Sequence, residues 1–386
     1  IPIANGFLTE EQFADEYFFE LAVAYDPDSK MVQLTELVDE TKMFHENYAF
    51  FSSTSSRMKE HFKKFYEYVR DTYIKDEDPF VVEIGSNDGI MIQNWHDQKI
   101  RHLGVEPSSN VAQVAREKGI NTISEFFTED LAAKIEKEYG KADAITSANC
   151  MCHIPYLHSV VAGVKSLLKP KGILTFEDPY LGDIIEKTSY DQIYDEHVYY
   201  FSVNSISNLF EQHGLEVIDV LPQDVHGGSM RYVIAHKGAY EVSGNVAKQL
   251  EKEHQLGLHL SETYEKFKKN VEKSRDDLMD VLNKLQSEGK RVVGYAATSK
   301  STTVTNYCGI TPEHLEFISD TTPIKQGKYS PGAHIPVKNY EEFKNNYPDY
   351  ALLFGWNHSK EIMANETGFV FSGGKWICYV PEVTIQ

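Results

Sequence analysis

Phe80-Val81-Val82-Glu83-Ile84-Gly85-Ser86-Asn87-Asp88-Gly89 is the stretch on which the fold turns. A run rich in β-branched and aromatic side chains, with no turn former inside it, reads as a strand buried on both faces. Gly85 ends the run and Gly89 follows. Glycines placed there permit a tight turn and a close approach of backbone to a ligand. A helix is expected from about Ile90. The spacing is Glu-x-Gly-x-x-x-Gly, not the Gly-x-Gly-x-x-Gly that cradles a dinucleotide pyrophosphate. Outward from this point the pattern repeats. His102-Leu103-Gly104-Val105-Glu106 reads as a second strand ending in a carboxylate, and 111–118 as a helix. A strand is expected over 142–148. A helix over 157–168 is stopped by Lys169-Pro170-Lys171-Gly172, and a strand follows over 173–177. A helix over 205–213 ends at Gly214, before closing strands at 215–220 and 230–236. Such alternation means an α/β fold with a doubly wound sheet.

The flanks are of different character. Residues 3–7 read as a loop around Gly6, and 18–23 alternate weakly. Asp26-Pro27-Asp28-Ser29 is a turn before a short strand at 31–34. A Ser/Thr run over 52–56 puts Ser56 where it can cap a helix over 57–74. On that helix Met58, Phe62, Phe65, Tyr66 and Val69 share one face. Residues 241–288 are charged and helical. Their stripe of Leu260, Tyr264, Phe267, Val271, Leu278, Leu282 and Leu285 suits packing on a neighbouring unit or a coiled-coil seam. Residues 289–386 restart the α/β pattern, with strands at 291–295, 315–319, 350–354 and 376–380 and a turn at 296–301.

Composition narrows the partners. The 386 residues, 41% hydrophobic and 12% aromatic, supply more than one core. A net charge of −20 argues against a nucleic-acid partner and against an anionic membrane surface. A small anion remains compatible with a local basic pocket. The abundant tyrosines, 23 in all, serve packing or stack on bases and sugars. No apolar run reaches the roughly 18 residues of a membrane span, and no signal-peptide pattern opens the chain. Four cysteines without a paired framework suit a reducing cytosol, so a cytoplasmic location is expected.

Glu83, Gly85 and Gly89, with Glu106 at the next strand end, make the pattern of class I S-adenosylmethionine (SAM)-dependent methyltransferases. Cofactor contacts are expected at Glu83, Gly85, Asn87, Asp88, Gly89, Glu106 and Asn149. Glu106 would take the ribose hydroxyls. Cys150, Cys152 and His153 follow Asn149, but Cys-x-Cys-His is not the spacing of a structural zinc site, so no metal is expected there. Tyr190-Asp191-Gln192-Ile193-Tyr194-Asp195-Glu196-His197 lies past a strand end. A histidine flanked by carboxylates and phenols suits a general base, with Glu196 orienting it and making it more basic. A phenol suits stabilisation of an enolate. His226-Gly227-Gly228-Ser229 is a third candidate loop, or simply a tight turn before the next strand.

The chain resembles the sugar C-3′-methyltransferase family of antibiotic and surface-polysaccharide pathways. The matching pieces run in order along nearly all of it. They are Met43-Phe44-His45-Glu46-Asn47-Tyr48, residues 83–89, Cys152-His153-Ile154-Pro155-Tyr156, Glu177-Asp178-Pro179-Tyr180-Leu181-Gly182-Asp183, Asp195-Glu196-His197 and His226-Gly227-Gly228. Later come Gly294-Tyr295-Ala296-Ala297-Thr298-Ser299-Lys300, Asp320-Thr321-Thr322-Pro323, residues 331–336 and Trp356-Asn357-His358. The resemblance implies a small N-terminal module over 1–56 and a SAM-dependent domain over 57–240. A helical connector over 241–288 and a Rossmann-like nucleotide-sugar domain over 289–386 complete it.

The resemblance further implies methyl transfer to C3′ of a dTDP-linked 4-keto-deoxysugar, through an enolate. By motif, His197 is the base, supported by Tyr48, Tyr194 and Glu196. The sugar nucleotide would meet His153, Tyr156, His226, Thr298, Lys300, Trp356, Asn357 and His358. Lys300 with Thr298 and Ser299 suits a phosphate. The family's N-terminal module binds structural zinc through two cysteine pairs. Asp26 and Ser29 stand where the second pair should be, and the first would precede Ile1 or is absent, so the second pair's zinc ligands are replaced here and no metal is expected.

Three rivals remain. A sugar O-methyltransferase would not need to exchange the C3′ proton. An NAD-dependent nucleotide-sugar enzyme lacks its Gly-x-Gly-x-x-Gly here, and no Tyr-x-x-x-Lys pair is suitably placed. A non-catalytic binding protein would have no use for His197, Tyr48 and Glu106. The sugar, its 3-amino or 3-hydroxy group, its stereochemistry and the oligomeric state stay open.

Overall fold

The computed structural model describes residues 1–39, 42–43 and 56–386. Its strands, in chain order, begin with β1 (Val23–Asp26), β2 (Met31–Leu34), β3 (Phe80–Ile84), β4 (Arg101–Val105), β5 (Thr122–Ile123) and β6 (Ala142–Ala148). Next are β7 (Leu168–Pro179), β8 (Tyr199–Tyr200), β9 (Leu215–Gln223) and β10 (Ser229–His236). The last group is β11 (Val292–Tyr295), β12 (Ile318–Ser319), β13 (Val337–Lys338), β14 (Tyr350–Leu353), β15 (Lys375–Cys378) and β16 (Thr384–Ile385).

The central sheet has the order β5-β4-β3-β6-β7-β10-β9. It is parallel from β5 to β7, and β10 runs antiparallel to both of its neighbours. The chain leaves β3 to one side for β4 and β5, then crosses to the other for β6. The switch point therefore lies at the carboxyl ends of β3 and β6, where a crevice opens in sheets of this kind. Every residue of β3 is buried. Phe80, Val82 and Ile84 enter the core on one face and Val81 the core on the other, as a side-chain period of two demands.

Helix Ser56–Tyr73 covers one face with Met58, Phe62, Phe65, Tyr66 and Val69. Helices Glu129–Tyr139 and Leu157–Leu167 cover the other. The first of these two was not anticipated, although Thr128 caps it by accepting from the Leu131 N–H. Helix Leu181–Lys187 was also missed. The expected helix from Ile90 shrinks to Gln93–Asp97, and Lys169-Pro170-Lys171-Gly172 is drawn into the twelve-residue β7 instead of forming a stop.

The N-terminal hairpin β1–β2 gains a third strand, β8, from the segment that links β7 to β9 of the central sheet. Residues 1–39 thus pack into the body of the molecule. At the turn, Asp26 Oδ2 accepts from the Ser29 hydroxyl at 2.5 Å, and Asp26 also accepts from the N–H groups of Asp28 and Ser29. The two side chains at the positions of the expected thiolate pair thus close the turn on each other. Residues 1–149 contain no cysteine. These residues do not fit a thiolate zinc site.

The last sheet has the order β13-β12-β11-β14-β15-β16 and is parallel except for β16. Its own switch point falls after β11, at the turn that starts helix Ser299–Cys308. The charged 241–288 segment is two helices, Gly244–Leu256 and Ser261–Ser287, parted at Gly257 in the left-handed region (φ 70°). Leu278, Leu282 and Leu285 are buried in the core of the last sheet, and Tyr264 and Phe267 pack with Val32 and Tyr200. These residues of the stripe are consumed within the chain, so the coiled-coil alternative is not needed to bury them. Leu282→Ala should cost about 2–5 kcal/mol. Calorimetry would show the unfolding of the C-terminal part moved to lower temperature, and an unmoved transition would mean the helix does not pack there.

Candidate active site

A cleft of about 400 Å³ opens at the carboxyl ends of β3, β4 and β6 and runs across to the turn after β11. At the β3 end the backbone is unusual. Gly85 has φ 69° and Asn87 φ 49°. A Cβ on Gly85 would stand 2.4 Å from Cys150 Sγ, so only glycine fits between the first turn and the loop after β6. Glu106 is held by the N–H groups of Asn87 at 3.0 Å and Ser108 at 2.8 Å. Burial nonetheless pushes its carboxyl above the usual range. Glu83 is pushed further, by burial first and then by Glu106 and Asp88, and its Oε2 is buried without a hydrogen bond among the described residues. An unsatisfied buried carboxylate oxygen marks a place for a ligand donor or cation. Ile90, Pro107, Phe126 and Phe127 add an apolar wall.

Near the cleft, β7 and β10 are tied together at Glu177. This fully buried carboxylate pairs with His61 Nε2 and accepts from Arg231 Nε at 3.1 Å and Nη2 at 2.9 Å. Burial raises its pKa, but His61 and Arg231 together outweigh that and hold it below the usual range. The Glu177 carbonyl also accepts from the Asn149 N–H at 2.7 Å, which places Asn149 (φ 50°) at the cleft.

The centre of the cleft holds His197. Its Nδ1 lies 2.7 Å from the Gln192 carbonyl oxygen, which can only accept. The proton therefore sits on Nδ1, and Nε2 carries the lone pair. The Tyr194 hydroxyl donates to Nε2 at 2.8 Å. Burial, then the neighbouring His153, holds the His197 pKa well below its usual value, while burial raises that of Tyr194. A neutral imidazole beside a protonated phenol can take a proton from carbon and donate to the oxygen that gains charge. Glu196 is not the orienting group: its Oε1 accepts from Asn5 Nδ2 at 2.6 Å. Burial also overrides any gain in basicity expected from the flanking carboxylates.

His153 stacks on His197 at 5.2 Å and is pushed down to about 4 by burial. His226 (φ 53°) accepts through Nε2 from Asn149 Nδ2 at 3.2 Å and is pushed down to about 3, again by burial. Cys152, His153 and His197 bring potential metal ligands within 4.8 Å of one another. His197 Nδ1 is protonated toward the Gln192 carbonyl, and burial pushes the Cys152 thiol up, which disfavours the thiolate a metal would need.

The far wall comes from the last sheet: Ala296, Thr298, Ser299, Lys300, Asn357 and His358. Thr298 caps helix Ser299–Cys308, accepting from Ser301 N at 3.2 Å, while Lys300 Nζ donates to Asn357 Oδ1 at 3.2 Å. Burial lowers the Lys300 pKa and the nearby Asp191 raises it. A helix start and a lysine facing one cleft suit an anion.

Two family profiles divide the chain between them. Residues 55–220 match a methyltransferase domain and 224–381 a C-methyltransferase C-terminal domain. Across 383 residues the chain is 34% identical to C-methyltransferase NovU of Streptomyces niveus, covering 99% of this chain and 91% of that protein. The chain belongs to the C-methyltransferase family. It is thus a SAM-dependent C-methyltransferase with a class I methyltransferase fold and an additional C-terminal sheet. Over 107 residues, 25% of this chain and 44% of the other, it is also 34% identical to the ubiquinone biosynthesis O-methyltransferase of Pasteurella multocida (strain Pm70). Magnesium protoporphyrin IX methyltransferase from Synechocystis PCC 6803 overlaps 47% of this chain and 80% of its own, with 12% identity and a TM-score of 0.36.

In this enzyme the cleft gathers most of the residues singled out by sequence. Glu83, Gly85, Asn87, Glu106, Asn149, His153, Tyr156, Tyr194, Glu196, His197, His226, Thr298, Lys300, Asn357 and His358 all line it. Asp88, Gly89 and Trp356 do not. Gly89 packs on Ile120, and Asp88 is buried 3.8 Å from Lys118. Trp356 turns its Nε1 to Asp191 and its ring to Gly227. Tyr48 lies outside the described residues. Asn5, Met58, Phe62, Phe126, Phe127 and Gln192 line the cleft without having been foreseen. For Gln192 no residue-type signal existed, because its backbone carbonyl does the work. Glu106→Ala should weaken SAM binding about tenfold or more in calorimetry, given the roughly 1.5–3 kcal/mol of a charged hydrogen-bond acceptor. In the wild type, affinity should fall with acid sooner than for an ordinary carboxylate, because the raised pKa neutralises Glu106 earlier. Affinity unchanged in Glu106→Ala would remove Glu106 from the cofactor site.

Proposed function

We propose that the enzyme methylates C3′ of a nucleotide-linked 4-keto-deoxysugar, dTDP-linked as the family resemblance implies. The observation that carries the reading is His197, with its base nitrogen fixed by the Gln192 carbonyl inside the cleft. A keto group at C4′ acidifies the C3′ proton. His197 Nε2 takes that proton, and the Tyr194 hydroxyl, whose raised pKa keeps it protonated, donates to the enolate oxygen. SAM supplies the methyl as an electrophile on a sulfonium. Glu83, Gly85, Asn87, Glu106 and Asn149 would hold it. The buried histidines stay neutral and so do not repel the cation. Lys300, with Thr298 and Asn357, would take the diphosphate, and His153, Tyr156, His226 and His358 the sugar. Glu196 and Tyr48 would support the catalytic loop, and no step runs through a metal.

His197→Asn should keep SAM affinity and lose turnover by about 100-fold or more, the range of a general base. Incubation with SAM and a dTDP-4-keto-6-deoxyhexose in deuterated water, read by mass spectrometry, should give a product one methyl heavier with carbon in place of the C3′ hydrogen. A product methylated on oxygen, with no C3′ exchange, would overturn the C3′ reading. The acid limb of kcat/KM should lie below pH 6.5, because a base whose pKa is lowered stays unprotonated further into acid. A limb above that value would sink His197 as the base.

A further inference from the structure

The loop that carries the base is held from outside its own sheet. Tyr190 lies in the core of the last sheet, and its hydroxyl meets Cys308 Sγ at 3.5 Å. Asp191 is fully buried, and its Oδ2 accepts from Trp356 Nε1 at 2.6 Å and from the Tyr379 hydroxyl at 2.6 Å. The Ile193 carbonyl accepts from Thr303 Oγ1 at 2.9 Å. Gln192, whose carbonyl sets the His197 tautomer, is flanked on both sides by these anchors. A buried carboxylate is expensive, and Asp191 Oδ1 has no hydrogen-bond partner among the described residues. The two donors that do satisfy Asp191 come from 165 and 188 residues further along the chain. Trp356 also lies 4.8 Å beneath Lys300 Nζ, so the anchor and the anion end of the cleft share one side chain.

We propose that Asp191 is a positioning residue for the base: by gripping Trp356 and Tyr379 it pins the loop of Gln192 to the C-terminal sheet, which thereby sets where His197 Nε2 points. The inference rests on His197 as the base. Asp191 touches no reacting atom and acts through the Gln192 carbonyl. Misplacement of a catalytic group by an ångström is enough to cost about 100-fold in rate.

The test uses the full chain with Asp191→Ala, Asp191→Asn and Tyr379→Phe. It reads kcat, KM and the SAM dissociation constant, together with the ¹⁵N NMR tautomer of His197, assigned by its loss in His197→Asn. In Asp191→Ala, kcat should fall about 100-fold with SAM affinity unchanged, and His197 should pass from a single Nδ1–H tautomer to a mixture. Asp191→Asn, whose carboxamide oxygen still accepts from both donors, should restore most of the rate and the single tautomer. Tyr379→Phe, which removes one donor and leaves the cavity filled, should show a smaller fall and carries the test if Asp191→Ala does not fold. Wild-type kcat and tautomer in both Asp191→Ala and Tyr379→Phe would overturn the proposal. So would Asp191→Asn being as slow as Asp191→Ala with the tautomer intact in both, since the charge and not the grip would then be what matters. The NMR reading needs no sugar. A tautomer shift in an enzyme that never methylates the 4-keto sugar supports the positioning role while removing the substrate assignment.

Discussion

A carbonyl oxygen has lone pairs and no proton, so the 2.7 Å contact from Gln192 to His197 Nδ1 leaves His197 one tautomer. The rest of the active site is arranged around that contact. With Nδ1 committed, Nε2 faces the cleft and is met by a phenol that burial keeps protonated. An imidazole free to turn would present its N–H to the cleft part of the time, and the proposed proton abstraction would then find no base. The loop from Tyr190 to His197 is accordingly clamped by hydrogen bonds to the last sheet at Asp191 and Ile193, and by the N-terminal segment at Asp195 and Glu196.

Electrostatics divides the cleft into two ends. Carboxylates at Glu83 and Glu106 face one end and a buried lysine faces the other, with uncharged histidines between. Desolvation is the leading cause at every one of these groups. It raises the carboxyls and lowers the imidazoles and the lysine. In the reaction proposed above, a cationic methyl donor would lie toward the carboxyl end and an anionic substrate toward the lysine end, with uncharged histidines between them.

Two sheets contribute to this one cleft through the same topological device. In each, the chain reverses its direction of winding beside the first strand, β3 or β11, and a glycine- or hydroxyl-rich turn follows. The two crevices face each other. The helix Ser261–Ser287 keeps them so by burying Leu278, Leu282 and Leu285 against the last sheet, while Tyr264 and Phe267 pack against the hairpin.

What the sequence determined by itself was local. Apolar runs and alternation marked β3, β4, β6, β9 and β10, because a strand buried on both faces, as β3 is, must be largely apolar and an edge strand such as β9 alternates. Gly85 was legible because a glycine that ends an apolar run, with Gly89 four residues on, marks a tight turn, whereas its crowding by Cys150 Sγ came only with the fold. The candidate His197 was legible as a histidine among phenols and carboxylates. Helices Glu129–Tyr139 and Leu181–Lys187 were not, since their polar faces dilute the helical period. Tertiary structure alone decided which atom orients His197. The sequence offered Glu196, the adjacent carboxylate, and the fold chose the Gln192 backbone, because Glu196 turns to Asn5 and a backbone carbonyl has no residue-type signature. Trp356 read as a substrate contact, yet its indole nitrogen is directed at Asp191, 165 residues earlier. Contacts of that range depend on how two sheets dock, and no spacing along one chain segment encodes the direction in which a side chain will find its partner.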